Sequence, residues 1–214
     1  MHDKAAVARR IRDAFRDTEH PGAAYLVGSR QGCEPEEVVA PFKGYAHWSL
    51  VDPALLDPND TALSFFTEGG FRHFLPAFLL ADLDGRLQTA DPVFHLTHGL
   101  ASDVTIDVPA GGRVHRRTTG PSTLVNPRLY GAMTFRDSAL RRLSVFTREE
   151  AGAIVDYLEY KRALQPHAAD EIARALDNYW YKRAAEAPTR EALSRHLQAE
   201  AEFAADLMNK PPAS

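Results

Sequence analysis

Two histidines stand one helical turn apart in the segment His95-Leu96-Thr97-His98. On a helix such a pair faces one side, and neutral imidazole is a good ligand for zinc and related metals. A third donor would have to come from Asp91, Asp103, His115 or His73. An H-E-x-x-H helix carries a general base and both ligands on one face, and that glutamate is missing here. His95 and His98 are the candidate metal pair. The alternative is a pair of loop or half-buried histidines.

A second constellation frames the most apolar stretch of the chain. His47-Trp48 precede it and Arg72-His73 lie within it. A pocket lined by Trp48, Phe65 and Phe66, with Arg72 and His73 at its mouth, has the form of a small-ligand site. A guanidinium there favours an anion. In the alternative, Arg72 and His73 occupy the solvent face of an amphipathic helix. Cys33 follows Gly32 at the start of a short helix, where a thiolate is stabilised. Glu34, Glu36 and Glu37 crowd it and oppose ionisation, so an inert thiol is expected. The chain lacks a G-x-S-x-G elbow, a phosphate-binding G-x-x-x-x-G-K-[ST], a G-x-G-x-x-G after a strand and paired C-x-x-C motifs. Tyr179-Trp180-Tyr181 followed by Lys182-Arg183 offers stacking surface, with Tyr179 and Trp180 expected in the core and Tyr181 at its rim.

Charge is segregated along the chain. Residues 31–60 hold six acids (Glu34, Glu36, Glu37, Asp52, Asp57, Asp60) against Lys43 alone. Residues 111–145 hold seven arginines against Asp137 alone. Arginine forms bidentate contacts with carboxylate or phosphate. Arg113, Arg116, Arg117, Arg141 and Arg142 are therefore candidate partner-binding residues. The alternative is a solvated loop, or an internal match to the acidic third. The net charge of -4 excludes a generally basic nucleic-acid binder.

The elements that must position these groups are mostly helical. Residues 3–17 place Ala6, Val7, Ile11, Ala14 and Phe15 on one side, and His20-Pro21-Gly22 stops the run. Cys33 to Phe42 reads as a second short helix, followed by a Pro- and Asp-rich loop from which Phe42, Trp48 and Leu50 should fold onto the core. Phe71, Phe74, Leu75, Phe78 and Leu79 then recur at helical spacing, with Leu80 and Leu83 widening the stripe. Thr67 fits an N-cap, with Glu68 in the first turn. Pro76 removes the bond to the Arg72 carbonyl. The stripe keeps its phase across the proline, which favours one kinked helix over two short ones. Residues 84–135 are broken by Gly and Pro and read as an irregular insert. Within it Val104–Val108 alternates like a strand, with a hairpin expected over 104–117. Thr147 and Glu150 form a capping-box signature opening a helix that buries Ala151, Ile154, Val155 and Leu158, with Tyr157 a further candidate. Pro166 opens the next, with Ile172, Leu176, Tyr179, Trp180 and Arg183 in phase. Pro188-Thr189 open the last, with Leu193, Leu197, Ala201, Ala204 and Met208 in phase.

Several of these segments resemble a bacterial family of uncharacterised proteins with no established activity. The matching pieces are Cys33-x-Pro35, Phe42-Lys43-Gly44 with Trp48-x-Leu50, Ala62–Thr67, Phe71–Leu79, and Leu143–Thr147 leading into Ile154–Leu158. The resemblance spans about residues 5–163 with gaps. It implies a helical fold and transfers no site residue.

The expectation is a mainly α fold. An orthogonal or antiparallel helical array forms one domain over 1–208, with a small β-hairpin or irregular insert and a disordered tail at 209–214. With one cysteine, no leader-like segment and no apolar run of spanning length, a cytoplasmic protein without cofactor is expected. The first functional expectation is a non-enzymatic, immunity-like or regulatory protein that binds another protein through the segregated charges. The alternatives are an enzyme using a metal or a small anion at the histidines, and nucleic-acid binding through the arginines.

Overall fold

The chain opens with α1 (Lys4–Ala14), whose Val7, Ile11 and Ala14 are buried. The structure, a computed structural model, describes residues 3–29, 32–101, 105–118 and 134–209, and gives only the backbone at 105–110, 114–118, 201 and 203–209. After α1 come α2 (Glu34–Val39), a run of single 3-10 turns, α3 (Ala62–Phe65), α4 (Glu68–Leu83) and α5 (Pro92–Thr97). A hairpin, β1 (Thr105–Ala110) and β2 (Arg113–Thr118), precedes α6 (Phe135–Leu143) and α7 (Arg148–Leu164). Then follow α8 (Ala169–Ala175), α9 (Tyr181–Glu186) and α10 (Arg190–Asn209). The fold is mainly α-helical.

The centre is α4. Thr67 caps it by accepting from Gly70 N–H at 3.1 Å, and a single helix runs through Pro76. Phe71, Phe74, Leu75, Phe78 and Leu79 are all fully buried, each contributing about 1.5–3 kcal/mol of transfer free energy. Against Phe74 of this rod pack Phe42 and Phe66, the three ring centroids lying 5.1–5.3 Å apart. From the C-terminal half come Phe146, Ile154, Tyr157, Leu158, Ile172, Leu176 and Trp180.

Three local expectations need correction. Leu50 does not fold onto the core but is 65% exposed. It shares a three-residue 3-10 turn with Trp48, and that turn points the two side chains in different directions. Residues 84–135 are not wholly irregular, since Asp91 caps α5 by accepting from Phe94 N–H at 3.1 Å. The last helix does not bury its apolar phase where side chains are described: Leu197 is 45% exposed. The side chains of Ala201, Ala204 and Met208 lie outside the described ones; of the tail expected at 209–214, Asn209 instead closes the last helix, and 210–214 lie outside the described residues.

The hairpin expected over 104–117 forms one residue later. Gly111 and Gly112 both take positive φ, the backbone of a two-residue turn, and Ala110 faces Arg113 across it. Between Leu176 and Trp180 the helix widens into a π turn. This single-turn shift keeps both ends of the segment, Leu176 and Trp180, fully buried. Trp180 Nε1 donates to Leu96 O at 2.8 Å, and Thr97 Oγ1 donates to Glu171 at 2.9 Å, fastening α5 to the C-terminal helices.

Candidate functional site

The histidines singled out in sequence at 47, 73, 95 and 98, with Trp48 and Arg72, fall at two places against α4. The first is a polar knot at the end of α1. Trp48 Nε1 donates to Phe15 O at 2.8 Å, and His47 Nε2 donates to Arg16 O at 2.9 Å. Both contacts fasten on carbonyls just past the end of α1, where the helical bonds stop, and the Phe15 carbonyl also accepts from Thr18 N–H at 3.2 Å. His47 Nδ1 then accepts from Ser49 N–H at 3.2 Å. One turn into α4, His73 Nδ1 donates to Thr18 O at 3.1 Å, and its ring lies edge-on to His20 at 4.9 Å and to His47 at 5.9 Å. Arg72 grips Glu150, with Nε to Oε2 and Nη2 to Oε1 both at 2.9 Å. Glu150 also accepts from Thr18 Oγ1 at 3.0 Å and from Thr147 N–H at 2.8 Å, the latter closing the capping box of α7.

His47, Trp48, Arg72 and His73 therefore do converge, but not as an open pocket. His73 is fully buried and Trp48 is 5% exposed. The expected mouth is instead the joint between α1, α4 and α7. Nor does Arg72 face solvent, because Glu150 holds it inward. Burial, helped by the neighbouring His20, lowers the His73 pKa to about 4. Burial also lowers that of His20. The Nε2 atoms of both rings are buried with no partner among the described residues.

The second place is where α5 and α6 meet α4. Gly99 makes the meeting possible: at φ +81° a Cβ would stand 2.6 Å from Phe135 O. His95 is half-buried, with its ring 6.4 Å from Phe71, and His98 stacks on Phe94 at 4.7 Å. Burial first, then the Arg142 guanidinium and His98, hold the His95 pKa down to about 4. No group of three or more His, Cys, Asp or Glu side chains able to hold a metal occurs among the described residues. The side chains of two suggested third ligands, Asp103 and His115, lie outside them. Asp91 serves as the α5 cap, and His73 belongs to the other place.

Among the arginines, Arg113 is exposed beside the hairpin turn, while the side chains of Arg116 and Arg117 lie outside the described residues. Arg141 is exposed and sits 3.3 Å from Glu68. Arg142 is half-buried rather than fully exposed: its guanidinium carbon lies 4.4 Å over the Phe71 ring. It lies on the stripe Phe135, Ala139, Arg142, Leu143, spaced i, i+4, i+7, i+8, which marks the inward face of α6. That spacing was legible in sequence. Likewise Glu150 was visible as a cap, though not as the partner of Arg72.

No family model, curated protein or solved structure matches the chain.

Proposed function

We propose that the chain is a non-enzymatic binding protein of the cytoplasm, a regulatory or immunity-like partner of another protein. It acts through its exposed arginines on an acidic surface. The observation that carries this proposal is the use made of the groups best suited to catalysis. His47, Arg72 and His73 each hold backbone or carboxylate groups that join helices. Arg113 and Arg141 meanwhile remain exposed. On the acidic side, Glu34 and Glu37 remain exposed, while Asp57 is occupied in accepting backbone N–H groups from Gln88, Thr89 and Ala90 at 2.8–3.1 Å. No helix among the described residues is long and apolar enough to cross a membrane.

The test is affinity capture with the native chain and with the double variant Arg113→Glu/Arg141→Glu. The expected outcome is loss of the captured protein with an unchanged melting temperature. An identical set of captured proteins would overturn the proposal. Retention on heparin that collapses at modest salt would transfer it to nucleic acid, since phosphate contacts are salt-sensitive.

A further inference from the structure

We propose that the cleft at Arg142 binds a small organic carboxylate with a flat apolar body. The inference is independent of the protein-partner proposal and concerns a different face of Arg142's helix. The guanidinium is held from one side by Phe71, and its one hydrogen bond among the described residues is a long contact from Nη1 to Ser64 O at 3.4 Å. Nε and Nη2 are buried with no acceptor among the described residues. These two N–H groups form the fork edge that a carboxylate meets bidentately. A desolvated cation lacking acceptors is costly, and native structures rarely leave one so. Glu68 is the carboxylate that acts on Arg142 electrostatically, but its Oε1 already lies 3.3 Å from Arg141. Burial brings the Arg142 pKa down to about 10, which leaves it a cation at neutral pH.

The surroundings define the ligand. A cleft of about 190 Å³ is lined by Ser64, Phe94, His95, His98, Phe135 and Arg142. That is smaller than the ~300–1,000 Å³ of drug-sized sites and suits a single ring. Its rim is aromatic: Phe94 and His98 stack at 4.7 Å, and Phe135 meets His98 edge-on at 5.1 Å. Phe94 is 47% exposed and Phe135 is 37% exposed, so the rim is open to a guest. His95 is neutral beside the guanidinium and supplies a hydrogen bond rather than a second charge. One cation matches a monoanion better than a phosphate dianion. The carboxylate displaces the long Ser64 contact, and a turn of the guanidinium presents Nε and Nη2 to it.

Benzoate is the probe, followed through the imidazole NMR signals of His95 and His98. Saturable shifts are expected with a Kd of about 0.1–1 mM, the range open to so small a ligand. The bound carboxylate should raise the His95 titration midpoint. Acetate, lacking the ring, should bind at least about tenfold more weakly. Arg142→Met keeps packing on Phe71 and should lose the saturable shifts. Phe94→Ala removes an exposed ring, should leave the melting temperature unchanged, and should weaken benzoate several-fold. It keeps the test decisive should Arg142→Met fail to fold. Unmoved histidine signals in the folded native chain would overturn the proposal, as would equal binding by either variant. Inorganic phosphate binding as tightly as benzoate would overturn the assigned ligand class.

Discussion

His73 carries no exposed surface, and its ring is boxed by His20, His47 and Phe74. Nδ1 donates to Thr18 O and Nε2 meets no acceptor among the described residues. Protonating Nε2 would place a cation in the core. Burial and then His20 depress the pKa to about 4, against the opposing pull of the Thr18 and Glu19 carbonyls. The unfolded chain titrates near 6.5. Between those values the unfolded state binds more protons, so stability rises with pH across the window and is lost on acidification. The full loss is about 3 kcal/mol for this one group. His95 titrates low for a similar reason and adds a share. The urea midpoint should fall as pH drops from neutral toward 4. His73→Asn keeps an N–H for the Thr18 carbonyl and should flatten that slope without abolishing it. An unchanged slope in the variant would place the acid sensitivity elsewhere.

At the scale of elements, two carboxylates join α4 to α7: Asp82 accepts from Tyr157 OH at 2.6 Å and Lys161 Nζ at 3.0 Å at one end, and Glu150 holds the other. Glu150 is 1% exposed and serves Arg72, Thr18 and the Thr147 backbone together. Removing one partner of a buried pair leaves the other uncompensated, at a cost of about 3–5 kcal/mol. Glu150→Ala should therefore lose that much in chemical denaturation. Adding Arg72→Met should return a large part, because the stranded cation goes too. A cost within experimental error for Glu150→Ala would show that water replaces the carboxylate. The capping half of this joint was readable in sequence, since Thr147 and Glu150 are three residues apart. The Arg72 half was not, because the partners are 78 residues apart. Local spacing reports the inward face of a helix and not what covers it. The same gap put His73 at a pocket mouth and Arg142 on the surface.

For the whole molecule, phase and partnership again separate. Where an apolar stripe is dense, as on α4, any arrangement of the helices must bury it, and the sequence alone located the centre of the fold. On α10 the stripe is sparse, and its expected burial fails at Leu197. Among the described side chains of α10, its first residue makes the polar contacts to the body: Arg190 donates to Asp17 at 2.8 Å and to the Asp13 carbonyl at 3.0 Å, near the end of α1. Its backbone N–H is held by Glu149 at 3.0 Å. Beyond it, residues 194–200 are exposed, and the pairs Glu191–Arg195 and His196–Glu200 run along the helix itself. Exposed i, i+4 pairs contribute only about 0.3–0.5 kcal/mol each. A chain ending at Ser194 should therefore melt within a few degrees of the full chain, while Arg190→Ala in the full chain should lower the melting temperature more than the truncation does. The comparison decides whether α10 belongs to the folded body or only hangs from it. A truncation that costs more than Arg190→Ala would mean that the far turns of α10 cover part of the core.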